Sequence, residues 1–276
     1  MRTTFSTEKK YIDILKQFIK EVDVVGTERP KRFTEIMKRH TGSIHTLHPY
    51  GLDEKGLERR NPIIIAFGDS VTAGHFEFNG QQNKVLQMIQ SGQITTEQGV
   101  EIVDVRESYP EKFRNKLIDK FELTSVSMVN AGIAGDNLFS MQNRLHRDVI
   151  QIQPDLVLLN ASLNWGIECG DTSSFRQVLE KVVDQILVKT DADVILMTPN
   201  MEIPGPFVNK LSSLAERVAC IREVAKTKKI CLADTYAVWE KYYTCGYPLE
   251  KLLANGLNHP SAEAHDIFAE VLMKLF

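Results

Sequence analysis

Short apolar runs alternate with longer amphipathic segments along the chain from about residue 61 onward. The apolar runs have the length of buried strands, and they span 62–67, 125–130, 155–160, 193–198 and 230–234. The amphipathic segments carry apolar residues at helical spacing, and they span 109–121, 137–152, 173–189, 209–228 and 262–275. This alternation predicts an α/β fold in which a five-stranded parallel sheet has helices on both faces.

The first 60 residues follow a different pattern. Apolar residues at helical spacing, separated by lysines, predict an amphipathic helix over 8–22, and a second short helical pattern covers 33–39. The rest of this region mixes proline and glycine without a regular period. We therefore predict a helical N-terminal extension over 1–60, followed by one α/β domain over 61–276.

Charge and composition narrow the class of protein. The chain has 33 basic and 36 acidic residues, so its charge balance gives no sign of a nucleic-acid partner. It contains neither an apolar run of about 18 residues nor an export signal at its start, which predicts a cytoplasmic protein without membrane insertion. The four cysteines form no Cys-x-x-Cys pair, so a metal site is not expected. Nothing in the sequence indicates the oligomeric state.

The first predicted strand ends in Gly68-Asp69-Ser70. Because ligands bind at the carboxyl edge of a parallel sheet, a strand-to-helix turn here would present the Ser70 hydroxyl as a nucleophile. The nucleophile elbow Gly-x-Ser-x-Gly does not fit, since Thr72 takes the place of its second glycine. Taken alone, the tripeptide is equally typical of a helix N-cap.

Acyl transfer by a serine also needs a base and hydrogen-bond donors for the oxyanion. A glycine-bearing turn at 130–137 follows the second strand, Asn164 follows the third, and His259 precedes the last helix. Each has a plain structural alternative: Asp136 as a helix cap, Asn164 as a turn residue, and His259 as a loop residue beside a helix start. His265 is interpreted as a residue on the face of that helix.

Taken in order, these segments resemble the sequence blocks of the SGNH/GDSL hydrolases. The motifs are Gly-Asp-Ser-x-Thr-x-Gly at 68–74, Asn-x-x-x-x-Gly-Asp at 130–136, an asparagine at 164, and His-Pro at 259–260. The resemblance covers about residues 62–276 and implies a three-layer α/β/α sandwich of the flavodoxin-like SGNH type.

The resemblance also implies a serine esterase that uses no metal or other cofactor. Ser70 would be the nucleophile and His259 the general base. The backbone N–H groups of Ser70 and Gly135 and the side chain of Asn164 would form the oxyanion hole, with Gly132 as the less favoured alternative to Gly135. The expected partner is a small-molecule ester, with an acetylated carbohydrate favoured because no long apolar lid is evident in the sequence.

The acid that usually supports the base is missing from its expected position. Three residues before His259 the family pattern has aspartate, and this chain has Gly256. The candidates for orienting the imidazole are Asn255, Asn258, a loop carbonyl, and Asp234 at the end of the fifth strand. Asp234 is also a natural cap for a following helix.

Departures from the family pattern keep a second class of protein open. Besides the absent aspartate, Ser162 and Trp165 replace the usual glycine and aspartate beside Asn164. These changes are compatible with a non-catalytic binding protein of the SGNH fold. A nucleotide-binding domain is disfavoured, because no Gly-x-Gly-x-x-Gly motif or phosphate-loop lysine follows the first strand.

Overall fold

The computed structural model describes residues 4–42, 61–78, 101–204 and 212–276. Its strands are β1 (Ile63–Gly68), β2 (His75–Phe78), β3 (Glu101–Val103), β4 (Ser127–Gly132), β5 (Leu156–Asn160), β6 (Asp193–Met197) and β7 (Cys231–Ala233). Its helices are α1 (Lys9–Glu21), α2 (Lys31–Gly42), α3 (Ser70–Ala73), α4 (Tyr109–Phe121), α5 (Leu138–Asp148), α6 (Thr172–Lys189), α7 (Leu214–Lys228), α8 (Thr235–Thr244) and α9 (Ala262–Met273).

The main sheet has five parallel strands in the order β4-β1-β5-β6-β7. The predicted fold class is therefore confirmed. Strand β1 lies between β4 and β5, and its last residue, Gly68, pairs with Gly132 on one side and Asn160 on the other. Because all the strands run the same way, their carboxyl ends meet at one edge, and the loops that follow β1, β4 and β5 lie next to each other.

Alternate residues of β1 face two separate cores. Ile64 and Ala66 contribute to a core that includes residues of α1, α2, α4, α8 and α9. Ile65 and Phe67 contribute to the opposite core, which includes residues of α5, α6 and α7. Burial on both faces explains why the strand is a continuous apolar run rather than an alternating one. The result is the three-layer sandwich that the sequence predicts.

The described part of the N-terminal region packs against the sandwich. Leu15 of α1 and Phe33 of α2 are fully buried in the first core. The Thr7 hydroxyl lies 2.6 Å from the hydroxyl of Ser261, the residue that caps α9. The backbone N–H of Thr7 also donates to Glu263 at 3.1 Å. The start of the chain is thus attached to the beginning of the closing helix, and the boundary at residues 60 and 61 stays a prediction.

The predicted elements differ from the observed ones at several points. Helix α7 begins at Leu214, with Ser213 as its cap, although the predicted helix covers 209–228. Strand β4 begins and ends two residues later than predicted, because its register is set by pairing with β1, with Ser127 opposite Ile63. Helix α8 was not predicted, although Asp234 caps its start. The polar segment after Ser70 carries an antiparallel ribbon of β2 and β3, which we call the β2–β3 ribbon. The ribbon was not predicted because its strands have only four and three residues, which is too short for a clear periodic signal in the sequence.

Candidate active site

The turn after β1 is tightly packed and places Ser70 at the start of α3. Asp69 caps the short helix by accepting the backbone N–H of Val71 at 3.0 Å. A β-carbon added to Gly68 would lie 2.0 Å from the Thr72 hydroxyl oxygen and 2.7 Å from the Asn160 carbonyl oxygen. Only glycine therefore fits at the strand end. The local structure explains why Gly68, Asp69 and Ser70 occur together.

The Ser70 side chain contacts the imidazole of His259. Its Oγ lies 2.9 Å from His259 Nε2, and each of the two residues is 5% exposed. The loop that carries His259 is held by its own backbone: Ala254 N–H donates to the carbonyl of His259 at 2.7 Å. Asn255 Oδ1 accepts the backbone N–H of His259 at 2.9 Å. The two sequence-predicted residues are thus within hydrogen-bonding distance.

The other ring nitrogen of His259 faces the β2–β3 ribbon. His259 Nδ1 lies 3.2 Å from the carbonyl oxygen of Phe76 and 3.3 Å from Oε1 of Glu101. For Nε2 to accept the Ser70 proton, Nδ1 must carry the hydrogen and donate it toward these acceptors. The second carboxylate oxygen of Glu101 lies 2.6 Å from His75 Nδ1. A general base and a carboxylate are therefore adjacent.

Burial and charge have opposite effects on the pKa of this base. Burial lowers the pKa of the His259 imidazole below its ordinary value, while the nearby Glu101 carboxylate works in the opposite direction. Burial also favours a higher pKa for the Glu101 carboxyl, but the hydrogen bond from His75 and the electrostatic interactions with both imidazoles lower that pKa. His259 is therefore a neutral imidazole at neutral pH, as a general base must be.

Asp69 stands in a different electrostatic position from Glu101. Burial raises the pKa of the Asp69 carboxyl to about 7, despite the backbone hydrogen bonds that it accepts. Its side chain accepts the backbone N–H of Val71 and thereby caps α3. Of these two carboxylates, Glu101 is the one beside the base.

The two loops proposed to carry the oxyanion donors lie against each other. Gly135 follows β4 with a positive φ of 77°, and a β-carbon there would meet no atom within 4 Å. Asn164 follows β5, and its side-chain amide donates to the carbonyl of Asp136 at 3.1 Å. The structure thus places Asn164 beside the residue that follows Gly135. Gly132 belongs to β4, where an added β-carbon would lie 2.3 Å from the backbone nitrogen of Ala73.

Arg144 of α5 joins the nucleophile strand to the loop after β4. Its guanidinium donates to the carbonyl of Gly68 at 2.9 Å, to the carbonyl of Ala131 at 2.7 Å and to the Asp136 carboxylate at 2.5 Å. The side chain is 9% exposed, so these bonds form in a largely desolvated setting where charged donors bind strongly. The loops after β1 and β4 therefore form one connected unit.

A comparison of the sequence with family models decides the class of protein. The model for the GDSL-like lipase/acylhydrolase family matches residues 66–267. The chain belongs to this family. It is a carboxylic ester hydrolase, and the matched range contains every candidate residue named from the sequence blocks.

Solved structures with a similar fold, all of low sequence identity to this chain, include lipases/acylhydrolases and an acetylxylan esterase. A lipase/acylhydrolase from Enterococcus faecalis is 23% identical, with a TM-score of 0.56, covering 77% of this chain and 94% of its own. A putative GDSL-like lipase from Parabacteroides merdae is 15% identical, with a TM-score of 0.59, covering 78% and 95%. An acetylxylan esterase from Geobacillus stearothermophilus is 19% identical, with a TM-score of 0.56, covering 78% and 93%. A comparison with curated proteins gave no match.

The three residues predicted to orient the base have other contacts in this GDSL-family hydrolase. Asp234 forms an ion pair with Arg222 at 2.6 Å, accepts the Thr198 hydroxyl at 2.9 Å, and caps α8. Asn255 holds the backbone of His259, and its side-chain amide donates to Oδ1 of Asn258 at 3.0 Å. Asp234 is thereby committed to structural contacts, and the two asparagines shape the loop.

Sequence reasoning missed Glu101 entirely, and it placed His75 and Phe76 in the wall of the pocket without identifying their contacts with Glu101 and His259. All three lie in the polar segment to which no strand was assigned. A local signal exists, since His75-Phe76-Glu77-Phe78 alternates polar and aromatic residues with the period of a half-buried strand. That pattern could have identified β2, but it does not reveal which face of the ribbon meets His259.

His265 has a structural role that the predicted helix position did not reveal. It is fully buried, and its Nδ1 accepts the backbone N–H of Tyr109 at 3.1 Å. Burial lowers the pKa of this imidazole to about 3, which keeps it neutral across the physiological range.

Two further properties concern the described residues alone. None of their helices is long and apolar enough to span a bilayer. No group of three or more histidine, cysteine or acidic side chains among them is arranged to hold a metal ion.

Proposed function

We propose that the chain is a serine esterase that acts through an acyl-enzyme on Ser70, with His259 as general base. The observation that supports this most directly is the 2.9 Å distance between Ser70 Oγ and His259 Nε2. A nucleophile and a base within hydrogen-bonding reach are the minimum requirement for activating a serine.

The reaction would proceed in two stages. Ser70 Oγ attacks the ester carbonyl carbon while its proton passes to His259 Nε2. The tetrahedral intermediate then collapses, its bond to the alcohol oxygen breaks, and the alcohol leaves with that proton. Water, deprotonated by His259, next attacks the acyl-enzyme, and the acid is released as Ser70 regains its proton.

The negative charge on the tetrahedral intermediate needs preorganised donors. We assign this role to the backbone N–H groups of Ser70 and Gly135 and to the side-chain amide of Asn164. The contact between Asn164 and the carbonyl of Asp136 supports the assignment, because it holds the amide beside the Gly135 turn. Donors fixed before the reaction stabilise an oxyanion without reorganising during it.

The substrate class we propose is a small ester, with an acetylated carbohydrate as the leading example. Ser70 and His259 are each only 5% exposed. The described residues therefore leave the Ser70 hydroxyl accessible to a compact acyl group. The fold similarity to an acetylxylan esterase supports acetylated xylan as the first carbohydrate to test.

The proposal is tested by comparing wild-type protein with Ser70→Ala on p-nitrophenyl acetate and on acetylated xylo-oligosaccharides. We expect Ser70→Ala to lower kcat by about 10⁴-fold or more, as losing a serine nucleophile does elsewhere. A fluorophosphonate should add one covalent group to Ser70, detectable by mass spectrometry of the peptides. Ser173→Ala, at an exposed serine near the start of α6, is the matched control and should keep full activity. Equal rates for wild type and Ser70→Ala would contradict the proposal, and equal rates at the uncatalysed background would favour a non-catalytic binding protein.

A further inference from the structure

We propose that Glu101 is the positioning residue whose negative charge stabilises the His259 imidazolium. It is carried by the β2–β3 ribbon, and not by the loop that precedes α9. This inference rests on the proposed function and adds the acidic member that the sequence blocks lack. At the position where an aspartate is expected, the chain has Gly256, which adopts a positive φ of 66°.

Two neighbours contact Nδ1 of His259, and each has a different role. The Phe76 carbonyl, 3.2 Å from Nδ1, accepts the Nδ1 hydrogen and thereby fixes the tautomer that leaves Nε2 free for Ser70. A carbonyl is neutral, so it stabilises a positive imidazolium weakly. The Glu101 carboxylate, 3.3 Å from the same nitrogen, provides the charge that the carbonyl lacks.

Burial makes that charge necessary. His259 is 5% exposed, and creating an imidazolium there without a counter-charge would cost several kcal/mol of desolvation. A carboxylate at contact distance offsets this cost in the state that follows proton transfer from Ser70. The stabilisation therefore acts mainly on the transition state, which is the condition for raising kcat.

The Glu101 carboxylate is itself held in place by His75. One carboxylate oxygen lies 2.6 Å from His75 Nδ1 while the other faces His259, so the carboxylate bridges the two imidazoles. The two rings stand 6.0 Å apart at an angle of 68°. The pairing of β2 with β3 shifts register between His75 and Phe78, and such irregularities re-aim side chains. The ribbon thus directs Glu101 toward the base.

The charged and titratable groups around His259 come from three elements. Glu101 and His75 face it from the two strands of the ribbon, and the third group is His265 of α9, whose own pKa is lowered by burial and by the neighbouring His259. Glu101 is the acidic group among these neighbours. Removing its charge should therefore lower the pKa of His259.

The test is Glu101→Gln, which keeps the size of the side chain and removes its charge. We expect kcat on p-nitrophenyl acetate to fall about 100-fold with KM nearly unchanged. In triad hydrolases, replacing the carboxylate by an amide lowers kcat about 10⁴-fold because the histidine adopts the wrong tautomer. The loss here should be smaller, because the Phe76 carbonyl still fixes the tautomer of His259. The acid limb of the kcat/KM profile should move to lower pH. A purely structural role for Glu101 would not move this limb.

Two further variants sharpen the result. His75→Phe removes the group that holds the carboxylate and should lower kcat about tenfold. Glu107→Gln removes one negative charge from the turn after β3, where Glu107 pairs with Lys112, and should keep wild-type kcat. Urea midpoints of all the variants within error of the wild type would show that the loss of activity does not come from unfolding of the protein.

The outcomes separate this inference from the proposed function. If wild-type activity depends on Ser70 but Glu101→Gln keeps kcat within about twofold, the Phe76 carbonyl alone supports the base and this inference is wrong. A lower kcat with an unmoved acid limb would also overturn it. If wild type and Ser70→Ala hydrolyse the ester equally, the proposed function itself fails.

Discussion

The two regions that converge on His259 and Ser70 differ in how the fold controls them. The carboxyl edge of the sheet carries Ser70, Gly135 and Asn164 on loops after three adjacent parallel strands. The β2–β3 ribbon carries Phe76 and Glu101 on a two-stranded unit outside that sheet. In the sheet edge, position follows from strand order and close backbone packing. In the ribbon, position follows from the pairing of two short strands and from the contacts of Glu101 with His75 and His259, so side-chain substitutions there should alter activity with less effect on stability.

Gly68→Ala should produce the largest effect, because it disrupts the strand end that positions Ser70 at the sheet edge. The new β-carbon would overlap the carbonyl of Asn160 on the neighbouring strand, and backbone cannot move aside cheaply. We expect the free energy of unfolding to fall by about 3 kcal/mol or more, within the range of severe overpacking. Urea denaturation measures this loss, and ester hydrolysis should be lost with it.

Gly246→Ala is the matched control for that substitution. Gly246 has a positive φ of 85°, and an added β-carbon would meet no atom within 4 Å. Its cost should be limited to the left-handed backbone, about 1 kcal/mol. Equal losses of stability at Gly68 and Gly246 would show that the tight turn before Ser70 is not a steric requirement.

Asn164→Ala should affect activity more than stability. Loss of one oxyanion donor lowers kcat by about 10²- to 10³-fold in other hydrolases. The lost hydrogen bond to Asp136 should lower the free energy of unfolding by only about 1 kcal/mol. The measurements are kcat on p-nitrophenyl acetate and the urea midpoint.

A second asparagine provides the control for Asn164. Asn137 caps α5 by accepting backbone N–H groups of Phe139 and Ser140, so Asn137→Ala should cost about 1 kcal/mol of stability. Its kcat should stay near that of the wild type. If Asn137→Ala and Asn164→Ala lower kcat alike, the amide of Asn164 has no special role and both changes act through loop structure.

The pH dependence of the wild-type enzyme should show the smallest but most specific effect. Burial lowers the pKa of His259, and the base acts only in its neutral form. As pH falls, kcat/KM should therefore decrease with a midpoint below about 6.5, the ordinary pKa of histidine. An acid limb centred above pH 7 would contradict a buried, neutral base.

The sheet was predictable because its strands are buried on both faces and appear as continuous apolar runs. The nucleophile turn was also predictable, since Gly68, Asp69 and Ser70 are adjacent in sequence and share one local geometry. The register of β4 was missed by two residues because hydrogen bonding to β1, and not hydrophobicity alone, fixes it. Glu101 could not be found in this way. Its approach to His259 depends on how the β2–β3 ribbon packs on the loop before α9, and periodicity carries no information about that contact.

The attachment of Thr7 to the start of α9 has a consequence for the order of biosynthesis. His259 follows Ser70 by 189 positions in the chain, and it precedes a helix whose first turn is bonded to the N-terminal segment. A nascent chain that has already formed β1, β4 and β5 still lacks its base. Hydrolysis should begin only after α9 has left the ribosome and packed against the segment around Thr7, so the onset of activity reports the docking of α9.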